Sequence, residues 1–337
     1  MIHLIFYAIV LCCGAMATFI MRAIAVKLRI LNKPNPLVPQ HVEPTAYLGG
    51  IGIFLGMTAG LIICYFFYHK LFIELEKSLP SISGLVIGSA GFLIWGVVDD
   101  LRALEPFPKF IGQMAISIVT VLLGVRTHMF QQEILDFLFS WFWILFVVNA
   151  VNFTDVCDGL AGSICCVTFF TVGVFFHDVR IFCFLISAST FGFLFFNSPK
   201  ASIFMGDAGS HMLGFLLAAT GFMKSHELLF FDAAIWLVLL ASLPAFELLF
   251  ITMIRITKRV PWWKGSLDHF SLRLQAGHFS RWQIDIFSAV ISAVVVGVAC
   301  VLNFLDAWLK ISLLVLITGG YAIFARILLR WEAKPRI

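Results

Sequence analysis

The segment 134–159, ILDFLFSWFWILFVVNAVNFTDVCDG, joins an apolar run to a polar end, and this pattern decides the fold. The run is long enough to cross a bilayer, because a transmembrane helix needs about 20 mainly apolar residues. Its end carries Asn149, Asn152, Asp155 and Asp158 at intervals of three, so that each lies on roughly the same helical side as its neighbour. The segment predicts an oxygen-rich wall at the mouth of a membrane span.

The rest of the chain repeats the same pattern. The 337 residues are 61% hydrophobic and 12% charged, which favours one polytopic membrane domain, 1–337, over soluble domains. We expect an all-α transmembrane helical bundle of about 11 helices, or 10 if the short run at 209–223 does not span. The eleven apolar runs lie at 3–26, 46–69, 82–98, 108–126, 134–151, 159–177, 179–197, 209–223, 233–254, 284–304 and 309–330.

The basic residues predict the orientation of this bundle. With eleven spans, 17 of the 23 Lys and Arg residues fall on one side of the membrane. The positive-inside rule makes that side cytoplasmic, with the N-terminus outside and the C-terminus inside. The cytoplasmic loops are then near 27–45, 99–108, 149–158, 197–208 and 255–283. Because the polar clusters all lie in or beside these loops, we expect a single cytoplasmic active-site cleft.

Aspartates at the ends of apolar runs indicate an ionic site, since a carboxylate at membrane depth costs about 3 kcal/mol. Asp99 and Asp100 close the third run, and Asp207 lies between two glycines at the start of the eighth. A divalent cation with phosphates is the usual occupant of such a carboxylate cluster. A solvated helix end for Asp99 and Asp100, and an N-cap role for Asp207, remain open as alternatives.

Basic and glycine-containing segments add candidate binding residues. Lys109 and the loop with His269 and Arg273 could contact phosphates, although a basic loop facing lipid headgroups is a common alternative. Gly49 and Gly50 allow close backbone approach, or a simple turn into the second span. The alternatives stay open at this point.

In these motifs the chain resembles the polyprenyl-phosphate N-acetylhexosamine-1-phosphate transferases. The resemblance extends from Leu48-Gly49-Gly50 to about Leu274. It is carried by four motifs in the family's order: Asp99-Asp100 with Lys109, NAVNFTDVCDGLA at 149–161, FMGDAGS at 204–210, and Pro244-Ala-Phe-Glu247, where Glu replaces the family's Asp.

The resemblance implies transfer of N-acetylhexosamine 1-phosphate from a UDP-sugar to polyprenyl phosphate, with Mg²⁺ or Mn²⁺ as cofactor. It places the protein in a bacterial cytoplasmic membrane, without a nucleic-acid partner, and leaves a homodimer open. The implied catalytic residues are Asp99, Asp100, Asp155 and Asp158, and the implied metal ligands are Asp207 and Asn152. The implied substrate-binding residues are Lys109, Asn149, Asn152, Asn197, His269, Arg273, Gly49 and Gly50.

The basic loop departs from the family pattern in a way that bears on the branch. The teichoic-acid and enterobacterial-antigen branch has H-x-H-H-R, whereas this chain has His269-Phe-Ser-Leu-Arg273. The three-histidine run of the muramoyl-pentapeptide branch is absent, which favours the former branch and UDP-N-acetylglucosamine as donor.

Three other functions are alternatives for this sequence. Phospho-N-acetylmuramoyl-pentapeptide transfer is the alternative within the family. An ion-coupled transporter or lipid flippase would place charges at mid-depth, yet only Glu247 is deep. A CDP-alcohol phosphotransferase would continue Asp158-Gly159 with a second motif that this chain lacks.

The predicted orientation can be tested by labelling single cysteines in a variant without the native ones. A cysteine in the loop 255–283 should react with an impermeant thiol reagent only from the cytoplasmic side. A cysteine beside Lys70, on the opposite side, should react only from outside. Labelling of the 255–283 loop from outside would overturn the orientation.

Overall fold

The computed structural model describes residues 2–34, 43–79, 81–261 and 265–333. In this part the regular secondary structure is helical except for two short antiparallel strands, β1 (Leu31–Asn32) and β2 (Thr45–Ala46). The helices are α1 (Ile2–Lys27), α2 (Gly49–Phe67), α3 (His69–Ser78), α4 (Ile82–Arg102), α5 (Pro106–Leu122), α6 (Glu133–Thr154), α7 (Leu160–Phe175), α8 (Arg180–Asn197), α9 (Gly206–Ser225), α10 (Phe230–Leu240), α11 (Ser242–Thr257), α12 (Phe270–Ala276), α13 (Arg281–Val301) and α14 (Ala307–Leu328).

Every predicted apolar run forms a helix or a pair of helices, which confirms an all-α polytopic membrane protein. Within the described residues, seven helices are long and apolar enough to cross a membrane, or eight if the bent pair α10–α11 is one span. The other runs form α5 and α7, which are shorter apolar helices, and α9. Helix α9 carries several polar side chains and is not one of the seven candidate spans.

The helices extend further into the predicted loops than the sequence indicated. α4 continues to Arg102, so that Asp99 and Asp100 lie in its last turn and not in a loop. α6 continues to Thr154, which makes Asn149 and Asn152 helical. The loops 27–45 and 255–283 include residues 35–42 and 262–264, which lie outside the described residues.

The predicted span at 233–254 is bent. Its two helices, α10 and α11, meet at Ala241 with an angle of 72° between them. Pro244 lies in the first turn of α11 and has no backbone N–H to continue the hydrogen bonds of α10. The proline therefore accounts for a helix start at this point.

Helix α9 forms the centre of the bundle. All its residues from Ala208 to Ser225 are buried, and it packs against α2, α4, α6 and α10. The helix is 20 residues long, which is longer than the apolar run at 209–223 that predicted it. By contrast, Leu328 is the one buried residue of α14.

Glycine contacts bring α2 and α9 close together at one end of the bundle. The N–H groups of Gly49 and Gly50 donate to the carbonyls of Phe204 and Met205, at 3.0 and 2.9 Å. A Cβ atom at Gly50 would lie 2.3 Å from the backbone nitrogen of Gly209. Backbone atoms cannot move away from such a contact without shifting a helix, so this position requires glycine.

Gly50→Ala should therefore destabilise the protein by about 1–3 kcal/mol, because overpacking displaces α9 from α2. A thermal unfolding curve of the purified protein should show a lower Tm. Gly319→Ala is the matched control, since a Cβ there meets nothing within 4 Å. Equal unfolding temperatures for both variants would contradict the close packing of α2 and α9.

Candidate active site

An acidic cavity of about 450 Å³ lies at the end of the bundle where α4 and α6 end and α9 begins. Within the described residues, its lining includes no Lys or Arg side chain. The lining carries five carboxylates, from Asp99, Asp100, Asp155, Asp158 and Asp207. The structure thus brings together clusters that lie more than one hundred residues apart in the sequence.

Asp100 connects the end of α4 to the beginning of α9. Its carboxylate accepts hydrogen bonds from the N–H groups of Asp207 at 2.8 Å and Ala208 at 3.1 Å. These are N-terminal donors that have no partner inside their own helix. Gly206 precedes them with φ of 72°, a left-handed conformation that favours glycine. The expected N-cap role belongs to Asp100 and not to Asp207.

Lys109, from the first turn of α5, joins two of the aspartates. Its ammonium group forms ion pairs with Asp99, at 2.7 Å, and with Asp207. A second oxygen of Asp99 accepts the N–H of Leu104 at 2.9 Å, which fixes the carboxylate. Lys109 therefore compensates two negative charges in the protein without substrate.

Asn152 approaches the same carboxylate from α6. Its side-chain amide donates to Asp207 Oδ1 at 2.6 Å and to Ser210 Oγ at 3.0 Å. The two predicted metal ligands are thus neighbours. Among the described residues, no group of three or more His, Cys, Asp or Glu side chains could hold a metal ion alone.

Two aspartates follow α6 in the linker to α7. Burial in the cavity wall raises the pKa of Asp155 to about 7, and the negative charges of Asp207 and Asp158 act in the same direction. Asp158 is compensated differently, because it forms an ion pair with Arg281 and accepts the N–H of Ala201 at 3.2 Å. The two aspartates of this linker therefore differ, because Asp158 has a cationic partner in Arg281.

His269 lines the cavity and is held from behind by Glu247. Its Nδ1 lies 2.7 Å from Glu247 Oε1, and the second carboxylate oxygen accepts the N–H of Phe270 at 3.1 Å. Glu247 is 1% exposed, so its charge needs partners inside the protein. Both partners, His269 and Phe270, lie at the beginning of α12. The pair of Glu247 and His269 fixes the imidazole orientation at the cavity.

Arg273 does not face the cavity, in contrast to the predicted diphosphate contact. Its guanidinium is buried and donates to Asp268 at 2.5 Å and to the carbonyls of Leu328 and Trp331 at 3.2 and 2.9 Å. Burial alone would raise the pKa of Asp268, but hydrogen bonds from Lys258 and Arg273 lower it. The periodicity of the basic loop could not show that the arginine points towards the end of α14.

The remaining predicted binding residues have structural partners. Gly49 and Gly50 pack behind the cavity, as described above. Asn197 lines the cavity, where it accepts the N–H of Gly159 at 3.0 Å and donates to the carbonyl of Ile203 at 2.9 Å. Asn149 donates to Gln113 Oε1 at 2.9 Å, one turn deeper than Asn152.

Several residues at this site were not predicted. Gln113 and His211, whose side chains are 3.1 Å apart, lie four residues after Lys109 and Asp207 and form a deeper layer below them. Helical spacing could have indicated this layer. Tyr47 donates to the carbonyl of Asp100 at 2.5 Å, and Arg281 pairs with Asp158. No spacing in the sequence points to these last two contacts.

Comparisons with known proteins agree with this geometry. Residues 82–224 match the model of glycosyl transferase family 4, a range that includes Asp99 to Asp207. A probable undecaprenyl-phosphate N-acetylglucosaminyl 1-phosphate transferase of Bacillus subtilis is 27% identical over 94% of this chain and 90% of that protein. A phospho-N-acetylmuramoyl-pentapeptide-transferase of Listeria innocua is 34% identical over 79% of this chain and 88% of that protein.

A third relative covers a shorter stretch. The decaprenyl-phosphate N-acetylglucosaminephosphotransferase of Mycobacterium leprae is 30% identical over 53% of this chain and 50% of that protein. The names of the Bacillus and Mycobacterium proteins specify a polyprenyl phosphate, and the Listeria protein matches over 88% of its length. With four motifs converging on one cavity, the chain belongs to glycosyl transferase family 4, as a membrane-embedded phosphoglycosyltransferase.

Proposed function

We propose that this protein transfers N-acetylhexosamine 1-phosphate from a UDP-sugar, with UDP-N-acetylglucosamine favoured, to polyprenyl phosphate. The observation that carries the proposal is the convergence of five aspartates, Lys109 and Asn152 at one end of a membrane bundle. A lipid phosphate and a water-soluble nucleotide can meet at such an end. The names of the Bacillus and Mycobacterium relatives support the same reaction.

The reaction exchanges one phosphoanhydride bond for another. A phosphate oxygen of the lipid bonds to the sugar-bearing phosphorus of the donor, and the bond from that phosphorus to the UMP oxygen breaks. A phosphate monoester is mostly dianionic at neutral pH, so the acceptor needs little activation by a base. The protein's task is to position the phosphates and to balance their charge.

The donor set at Asp207 and Asn152 fits Mg²⁺ or Mn²⁺. Asp207 offers carboxylate oxygen directly, whereas Asn152 would turn its amide oxygen to the ion in place of the nitrogen that faces Asp207. Mg²⁺ in particular often takes one or two carboxylates together with phosphate oxygens and water. When bound, the ion supplies charge neutralisation for the phosphates. Among the described residues, no three His, Cys, Asp or Glu side chains could hold the ion together, so the proposal has phosphate oxygens of the substrate complete the site.

The chain's own groups perform the remaining work. Lys109 pairs with Asp99 and Asp207, and it can turn from Asp207 to a phosphate that arrives in the cavity. Asp100 holds the beginning of α9, and Asp99 holds Lys109. His269, oriented by Glu247, offers its second ring nitrogen towards the cavity. In this arrangement Asp99 and Asp100 act by positioning and charge.

The cellular setting follows the same proposal. The protein would act in a bacterial cytoplasmic membrane, with the acidic cavity on the cytoplasmic side, where UDP-sugars are made. Its product would begin a cell-envelope polysaccharide. A homodimer remains a prediction.

Phospho-N-acetylmuramoyl-pentapeptide transfer is the second candidate function. It is favoured by the 34% identity to the Listeria innocua protein. The segment His269-Phe-Ser-Leu-Arg273, which lacks the three-histidine run of that branch, argues against it.

A donor panel separates the two candidates. Purified protein with polyprenyl phosphate should release UMP with UDP-N-acetylglucosamine and not with UDP-N-acetylmuramoyl-pentapeptide. Omitting the lipid phosphate is the control and should abolish release. Turnover of the pentapeptide donor alone would assign the muramoyl reaction, and no turnover of any UDP-sugar would refute the proposed function.

Asp207→Asn should lower transfer by ~100-fold or more, because it removes the negative charge beside Lys109 and Asn152. EDTA should abolish transfer by the unchanged protein, and Mg²⁺ should restore it. Asp232→Asn is the matched control. Asp232 forms an ion pair with Lys310, with 2.7 Å between Oδ1 and Nζ, and it does not line the cavity. Full activity in EDTA would exclude the proposed metal role.

A further inference from the structure

A second cavity, of about 750 Å³, adjoins the acidic cavity and has a different charge. The two cavities share Asp158 and Phe204 in their linings. The second cavity carries the cations of Arg22, Lys200 and Arg281, and we call it the basic cavity. These three residues come from α1, from the segment between α8 and α9, and from the start of α13.

Two of the three cations are not compensated by the protein. Arg281 pairs with Asp158, whereas Arg22 and Lys200 form no ion pair within the described part of the chain. Nε of Arg22 is buried and has no hydrogen-bond acceptor among the described residues. A buried donor without an acceptor is unfavourable, and a bound anion would satisfy it.

Two acids also line the basic cavity, so that three cations and two carboxylates leave a net charge of +1. Asp158 is engaged by Arg281 and by the N–H of Ala201. Glu43 is exposed and, among the described residues, forms no ion pair with a lining cation. The basic cavity therefore has an excess of positive charge, whereas the acidic cavity next to it has five carboxylates.

The position of the basic cavity limits what can enter it. Arg22 lies near the end of α1, a candidate membrane span of which 28% is buried. Val26, also in the lining, is 54% exposed on the outer side of the bundle. An arginine at a span end lies at the depth of lipid headgroups, where phosphate is the abundant anion. Lys200 is exposed and reaches the same cavity from a connecting segment.

We infer that the basic cavity is a metal-independent binding site for a phosphate group, separate from the acidic cavity. Arginine and lysine bind phosphate directly, through charge-assisted hydrogen bonds. The acidic cavity, with its five carboxylates, repels phosphate unless a cation is present. The inference does not depend on the proposed transfer reaction.

The phosphate can come from a lipid headgroup or from a soluble molecule, and two binding measurements in EDTA distinguish them. The first titrates the detergent-solubilised protein with inorganic phosphate and with UMP by calorimetry. The second uses native mass spectrometry to compare retention of phosphatidylglycerol and phosphatidylcholine from mixed micelles. Saturable binding in either arm supports the site and identifies the source of the phosphate.

The double variant Arg22→Gln/Lys200→Gln should weaken this binding about 30-fold, at about 1 kcal/mol for each cation. Lys27→Gln/Arg29→Gln is the matched control, because it removes the same charge close to α1 but outside the cavity lining. If the double variant does not fold, Lys200→Gln alone should weaken binding about 5-fold, since its exposed side chain tolerates replacement.

Three results would overturn the inference. No binding in EDTA in either arm would show that phosphate enters only with a metal ion. An equal loss in the control pair would show a diffuse basic surface. Unchanged binding in both the double and the single variant would show that Arg22 and Lys200 do not form the site.

Discussion

The carboxylate of Asp100, bound to the first N–H groups of α9, is the contact on which the site depends. Residues 208–225 of helix α9 are buried among other helices, and its first N–H groups have no partner inside the helix. Asp100 accepts two of them and joins the end of α4 to the beginning of α9. This contact places Asp207 beside Lys109 and Asn152, and the acidic cavity forms around the three side chains.

Charge compensation explains how three of the five cavity aspartates remain at the end of a membrane bundle. Lys109 pairs with Asp99 and Asp207, and Arg281 pairs with Asp158. In the proposed reaction, Lys109 exchanges Asp207 for a phosphate when substrate arrives. The neighbouring basic cavity differs, because Arg22 and Lys200 in its lining form no ion pair within the described residues. We therefore expect the two cavities to have opposite preferences for anions.

The sequence predicted the helices and the residues that line the site better than it predicted which side chains contact each other. Apolar runs are long and unambiguous, and the acids had to cluster because an isolated carboxylate is costly near lipid. The contact of Arg273 with the carbonyl of Trp331 was not predictable, because it depends on where α14 ends. The bend between α10 and α11 and the cap from Asp100 likewise depend on packing between distant segments.

The central claim is that clusters from α4, α5, α6 and α9 form one charge-coupled site. A double-mutant cycle of Lys109→Gln and Asp207→Asn, measured as free energy of unfolding, tests it most directly. Lys109→Gln leaves the carboxylates of Asp99 and Asp207 without their cation, whereas Asp207→Asn leaves Lys109 paired with Asp99. In the double variant Asp99 is the one carboxylate of the three-residue cluster that lacks its cation, so the second change offsets part of the cost of the first. The account predicts a coupling energy of about 1–3 kcal/mol, with the double variant more stable than the sum of the single effects. Additive effects would show that the two side chains do not interact, and would contradict a single coupled site.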